Sequence, residues 1–177
     1  MIATIYLNVQ PTEFLGLIGV AVSRMGLLRL RMFQKSKEAF LALNEAFQEG
    51  NYQYSEEETE AVMAQIKAYL NYEIRSFSLP IDWSGYTDFQ KDVLEETLGI
   101  PYGETRSYGQ VAAAIGRPKA CRAVGQAEKR NDVPLVIPCH RVIGSDGSLT
   151  GYGGKENTDL KAQLLNFEKA GVKRSIR

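Results

Sequence analysis

The chain has 177 residues, 44% hydrophobic and 24% charged, which suits one ordinary domain or two small ones and reads as globular. No apolar run reaches transmembrane length and no basic-then-apolar leader is visible, so a cytoplasmic protein without a membrane partner is expected. The formal net charge of zero hides a split: residues 1–100 hold 8 Lys/Arg against 14 Asp/Glu, and residues 101–177 hold 13 against 7. A basic half is what a phosphate-binding surface requires, although ordinary surface variation produces such splits too.

In chain order, residues 1–80 read as a small α/β scaffold domain. Leu15 to Ser23 and Met25 to Met32 form two strands around a Ser23-Arg24-Met25-Gly26 turn. Lys35 to Gly50 is an amphipathic helix, with Phe40, Leu43 and Phe47 at helical spacing. Ser55 followed by Glu56, Glu57 and Glu58 caps a further helix that runs to Leu70. No chemistry is visible in this half. Leu79 to Gly85 is a strand-and-linker boundary, and residues 81–177 form the second domain.

The second domain opens with a helix from Thr87 to Leu98, striped by Phe89, Val93 and Leu94 and stopped by Gly99. Ser107 caps a short helix from Tyr108, Gly116-Arg117-Pro118 breaks it, and another helix runs from about Lys119 to Lys129. This is the outline of a helix-turn-helix, shared with many plain helical hairpins. Its second helix interleaves Lys119, Arg122 and Lys129 with small residues, which lets the backbone approach a groove while basic side chains reach phosphate or bases. Val133 to Pro138 reads as apolar, extended and buried. Val142-Ile143 and Gly144 to Gly147 form a short strand and turn. Thr150 to Lys155 is a glycine-rich loop, and Leu160 to Ala170 a broadly buried final helix.

Two cysteines and one histidine carry the reactive chemistry. Cys121, Cys139 and His140 lack metal-ligand spacing, so no metal is expected, and free thiols are favoured over a disulfide. Cys121 sits among alanines and reads as packing. Cys139 is either a small buried hydrophobe or a nucleophile. Pro138 before it fixes the backbone, and His140 and Arg141 after it favour thiolate. Adjacent residues do not normally face each other, so His140 would take the thiol proton through one bridging water. Glu168 is a candidate to orient His140 from behind.

At these residues the sequence resembles the O(6)-alkylguanine-DNA alkyltransferases. The resemblance spans roughly Phe89 to Gly171 and rests on Ile100 to Gly109, Arg122-Ala123-Val124-Gly125, Asn131, Pro134, Ile137 to Gly144, Gly151 to Gly154, and Leu164, Leu165 and Glu168. The fold it implies is α/β (α+β): a small, variable N-terminal α/β domain and a mostly helical C-terminal domain with a winged-helix-like helix-turn-helix. The function it implies is DNA repair. The damaged guanine is flipped from the duplex and its alkyl group passes, once per molecule, to Cys139. O(4)-alkylthymine is a further substrate on this reading.

The resemblance also assigns roles. Arg122 fills the gap left by the flipped base, with Ser107, Lys119 and Lys129 on the DNA face. Tyr108 donates a hydrogen bond to guanine N3, and Asn131 ties the helix exit to the active-site turn. The carbonyls of Cys139 and Val142 accept the guanine amino group. Pro134, Val142, Tyr152 and Gly153 line the pocket. His140, held by Glu168, is the water-mediated base. The partner is alkylated duplex DNA, the protein is a monomer, and no cofactor is required.

Several positions depart from the family pattern. Lys155 to Asp159 inserts a few residues in the loop that closes over the base. Gly153 stands where some relatives have serine, and Cys121 where alanine is usual. Two other readings compete: a lesion-binding protein in which Cys139 is inert, and a Cys-His hydrolase, for which His140 is poorly placed.

Overall fold

The structure is a computed structural model that describes residues 4–33, 36–48, 52–150 and 158–174. The chain divides into two compact units, residues 1–84 and 85–177. The division falls a few residues beyond Pro80 because Ile81 bridges Leu27, and the Asp82 N–H donates to the Leu27 carbonyl at 3.0 Å.

In the first unit, β1 (Ile5–Thr12), β2 (Gly16–Ser23), β3 (Gly26–Phe33) and β4 (Tyr52–Tyr54) form a sheet in the order β3-β2-β1-β4. The β1–β2 and β2–β3 pairs are antiparallel, whereas β4 joins β1 in parallel. The turn between β2 and β3 lies where the sequence places it, and Gly26 serves it with a φ of +131°. A Cβ there would lie 2.3 Å from the Pro80 carbonyl oxygen. The helix α1 (Ser36–Gln48) leads into β4, and α2 (Glu56–Leu70) follows, with the Ser55 side chain accepting from the Glu58 N–H as a cap. Leu7 and Asn8 are consecutive and both buried, so each face of the central strand is covered. Asn8 reaches α2 through a 2.9 Å bond to the Thr59 hydroxyl.

The second unit is built from α3 (Asp88–Leu98), β5 (Arg106–Ser107), α4 (Tyr108–Ala114), α5 (Cys121–Lys129), a 3-10 turn (Cys139–Arg141), β6 (Val142–Ile143) and α6 (Thr158–Arg174). Thr87 and Ser107 each start their helix with a reciprocal capping box, through Gln90 and Gln110, so two orphan N–H groups are satisfied at each start. Gly116, at φ +73°, ends α4 and turns the chain toward α5. Val93, Ile100, Val111, Ala112, Val124, Ala127 and Val142 close the core around this helix-turn-helix. A short parallel pairing of β5 with β6 ties the start of α4 to the end of the 3-10 turn. The fold is thus the mixed α/β class the sequence implies.

Candidate active site

The segment from Val133 to Pro138 does not run extended. It folds back on itself, with the Ile137 N–H donating to the Val133 carbonyl at 2.9 Å and Leu135 at φ +79°. That conformation is strained for a leucine and persists only where its surroundings over-determine it. Burial and Asn131 do so here. The Asn131 amide donates to the Ile137 carbonyl at 2.9 Å, while its oxygen accepts from the Val133 N–H at 2.9 Å. Pro134 is buried within the loop.

Pro138, at φ −83° and ψ 60°, then centres an inverse γ-turn in which the Cys139 N–H donates to the Ile137 carbonyl at 2.8 Å. Cys139 is thereby fixed as the first residue of the 3-10 turn, with a free thiol only 4% exposed. A reacting group has to come in to the buried thiol.

His140 and Arg141 follow on the same turn, and both are buried against Glu168 of α6. His140 Nε2 lies 2.7 Å from Glu168 Oε1. Arg141 donates to the same carboxylate from Nε at 3.1 Å and from its terminal nitrogen at 2.8 Å, and to the Ile100 carbonyl at 2.6 Å. The Gly103 N–H adds a further donor at 2.8 Å. Gly103 can come this close only as glycine: its φ is +80°, and a Cβ would lie 2.7 Å from Val172.

Burial alone would raise the Glu168 carboxyl, but the hydrogen bonds of His140 and Arg141, the Arg141 charge and, in acid, the charge of a protonated His140 outweigh it and hold it at about 2. Burial pushes the His140 imidazole below its ordinary value, further than the Glu168 carboxylate lifts it. The imidazole is therefore neutral at pH 7. An ionised carboxylate only accepts, so the ring proton sits on Nε2 and the Nδ1 lone pair remains as the basic position. The Arg141 guanidinium is committed to Glu168 and the Ile100 carbonyl.

A second buried group borders the turn. Lys161 of α6 is 1% exposed. It donates to the Val142 carbonyl at 2.6 Å and to the Tyr108 hydroxyl at 3.3 Å, with its ammonium 5.6 Å from the Tyr108 ring centroid. Tyr108 Oη also lies 2.5 Å from the Thr150 hydroxyl. The sequence reading missed Lys161, although it lies seven residues before Glu168, two helical turns away on the same face. The Val142 and Cys139 carbonyls, expected to receive an amino group, already accept from Lys161 and from the Val142 N–H. Each keeps a second lone pair.

The remaining predicted residues lie on the helix-turn-helix. Arg122 is exposed in the first turn of α5, Lys119 is exposed just before that helix, and Lys129 is exposed at its end. Ser107 is half-buried and caps α4. Cys121 is exposed at the start of α5 rather than packed, because the buried side of that helix is Val124, Ala127 and Glu128. Tyr152, Gly153 and most of the inserted loop lie outside the described residues. Among the described residues no cluster of His, Cys, Asp and Glu is arranged to hold a metal.

The second unit thus carries a buried cysteine on a tight turn beside a helix-turn-helix, and comparison with known proteins identifies its family. Residues 88–170 match the family profile described as 6-O-methylguanine DNA methyltransferase, DNA binding domain. The chain is 53% identical over 109 residues to the constitutive methylated-DNA--protein-cysteine methyltransferase of Bacillus subtilis, a match that spans 62% of this chain and 65% of that relative, just under two thirds of its length. It is 42% identical to the Mycobacterium leprae methylated-DNA--protein-cysteine methyltransferase over 81% of this chain and 78% of that one. In structure it is similar to Mycobacterium tuberculosis OGT in complex with DNA, with a TM-score of 0.78, 35% identity and 94% of each chain covered. The chain belongs to the methylated-DNA–protein-cysteine methyltransferase family.

Proposed function

We propose that the protein repairs O(6)-alkylguanine in duplex DNA by a single irreversible transfer of the alkyl group to Cys139, after flipping the base, and that O(4)-alkylthymine is a second substrate. The observation that carries this reading is the 2.7 Å His140–Glu168 pairing one residue from a buried free thiol. It supplies a neutral, fixed base one residue from the Cys139 thiol. In the proposed step the Nδ1 of His140, through a water, takes the thiol proton. The sulfur lone pair forms the new S–C bond, and the C–O6 bond pair leaves with guanine. The leaving anion accepts a hydrogen bond from Tyr108 at N3. A thioether is stable, so turnover ends there.

The remaining residues take supporting roles. Arg122 occupies the gap left by the flipped base, while Ser107, Lys119 and Lys129 hold phosphate. Pro134, Val142, Tyr152 and Gly153 line the base pocket, and Asn131 maintains the loop below it. We further propose a monomer acting in the cytoplasm, where the thiols stay reduced. Among the described residues no helix is long and apolar enough to cross a membrane.

Intact-mass measurement after incubation with duplex containing O(6)-methylguanine tests the reading. The expected result is one added methyl on Cys139, saturating at one equivalent, and none on Cys139→Ala, which should still bind the lesion. Wild-type protein that binds without gaining mass would instead be a lesion binder with an inert cysteine. Release of product with repeated turnover would indicate a hydrolase.

A further inference from the structure

One buried acid has no part in the mechanism above. Glu128 lies on the inner side of α5, the helix whose outer side carries Arg122, and is 5% exposed. Its Oε1 is 2.5 Å from the Thr97 hydroxyl of α3, and its Oε2 has no hydrogen-bond partner among the described residues. Thr97 also lies 2.9 Å from the Val93 carbonyl. A threonine hydroxyl has one proton to give, and both neighbours are placed to accept it.

Two patterns therefore fit the same atoms. With Glu128 neutral, its own O–H donates to Thr97, and Thr97 donates back to Val93. With Glu128 ionised, Thr97 must turn its proton to the carboxylate, and the Val93 carbonyl loses that donor. The neutral pattern leaves fewer buried groups short of a bond. Burial pushes the Glu128 carboxyl up to about 7, against the downward pull of the Thr97 bond and of the Lys161 charge.

The groups facing Glu128 identify what its charge reaches. From α3 there is Thr97; the acids Asp92 and Glu95 are exposed, and Glu96 pairs with Arg106. Tyr108 of α4 packs beside Gly125, about one helical turn before Glu128 on α5. From α6 there is Lys161, whose ammonium acts on Glu128 and also holds the Tyr108 hydroxyl and the Val142 carbonyl. Lys129 of α5 itself is exposed.

We propose that Glu128 is a positioning residue for alkyl transfer, acting through Lys161: its protonation state, exchanged between the two Thr97 hydrogen-bond patterns, sets how much uncompensated positive charge stands behind Tyr108. Neutral Glu128 leaves the Lys161 charge whole, so the Tyr108 hydroxyl, which accepts from that ammonium, is a stronger donor to a leaving anion. Ionised Glu128 offsets that charge and slows transfer. The idea rests on the reading that Tyr108 serves the leaving base.

The test is the pH profile of the single-turnover transfer rate from O(6)-methylguanine duplex between about pH 6 and 8.5, for wild type, Glu128→Gln and Thr97→Val. Glutamine mimics the neutral acid, so Glu128→Gln should lose an inflection near neutrality and exceed wild type by roughly two- to tenfold at the alkaline end. Thr97→Val removes the Glu128 bond from both patterns, and the charge-assisted bond of the ionised form is the stronger of the two, so its inflection should move to higher pH. Superimposable profiles for wild type and Glu128→Gln would overturn the proposal. So would an equal slowing of Glu128→Gln at every pH, which is the mark of a merely structural role. Infrared titration of the Glu128 carboxyl in the intact protein gives a readout that does not depend on transfer. If wild type transfers nothing while that carboxyl still titrates near neutrality, the functional reading fails and the ionisation stands. If the carboxyl does not titrate in this range, the proposal fails whatever the activity.

Discussion

The two units bury different things. The first closes on apolar side chains such as Ile18, Leu30, Val62 and Ile66, and its one buried acid among the described residues, Asp82, serves the β2–β3 turn through Ser23 and the Ser84 N–H. The second places Glu128, His140, Arg141, Lys161 and Glu168 in its interior. Apolar burial stabilises at little cost, whereas each buried charge carries a desolvation penalty that only good partners offset. A unit that accepts this repeatedly, with His140, Arg141 and Glu168 linked on and behind the turn that carries Cys139, is organised for chemistry rather than for stability.

That contrast is sharpest at Glu168. Glu168→Gln would leave Arg141 as a buried cation without its counter-charge and would cost about 3–5 kcal/mol. Calorimetry should show a large fall in Tm, and residual folded protein should transfer alkyl groups slowly because His140 loses its fixed tautomer. A small fall in Tm would mean that the buried ion network is not what holds the 3-10 turn. In the first unit, Ile66→Ala, at a fully buried position of α2, should cost about 2–4 kcal/mol by cavity formation alone. The transfer rate per folded molecule should not change. A rate loss equal to that of Glu168→Gln would break the division of labour between the units.

Within the second unit, acid and base should separate two sets of buried groups. Glu168 is held at about 2 against an ordinary 4.5, so its contribution is present above 4.5 and is lost as pH falls toward 2; it amounts to on the order of 3 kcal/mol. His140 is lowered as well, so it adds a loss that begins below about 6.5. Glu128 has the opposite sign. It is raised to about 7, so its contribution is complete below 4.5 and is lost as pH rises through 7. Glu128→Gln should therefore raise Tm at pH 8 and leave it nearly unchanged at pH 5. Equal shifts at both pH values would contradict the assignment.

Much of this was legible in the sequence, for identifiable reasons. Helix starts were readable because Ser55, Thr87 and Ser107 cap locally, and a cap is a short-range signal. Cys139, His140, Glu168 and Tyr108 were readable because their motifs keep fixed spacing, and the structure brings His140 onto Glu168 and Tyr108 into reach of Lys161. The strand β1 was missed although Ile5, Leu7 and Val9 alternate with Tyr6, Asn8 and Gln10, the pattern of a half-buried strand; its Asn8 is buried and satisfied by Thr59 from far along the chain. The Val133–Pro138 loop was misread as extended because a positive φ at Leu135 is imposed by Asn131 and by burial, not by leucine itself. Glu128 and Lys161 were not singled out. Their positions on the apolar stripes of α5 and α6, beside Val124 and Leu164, were the available signal.

The smallest effect tests the outer surface of the second unit. Lys119 is exposed and lies next to the exposed Arg122 end of α5, so its ammonium is paid for by water and contributes almost nothing to folding. Its proposed role is to neutralise a single phosphate, which releases counterions and carries no sequence information. Lys119→Ala should thus leave Tm unchanged and weaken binding to lesion and undamaged duplex by the same factor. The slope of log affinity against log salt should fall by about one. Arg122→Ala differs in kind: repair of duplex should fall far more than reaction with free alkylguanine, because the arginine compensates for a base that only the duplex has to release. If Lys119→Ala discriminated lesion from undamaged DNA as strongly as Arg122→Ala, the lysine would lie at the flipped base rather than on the phosphate track.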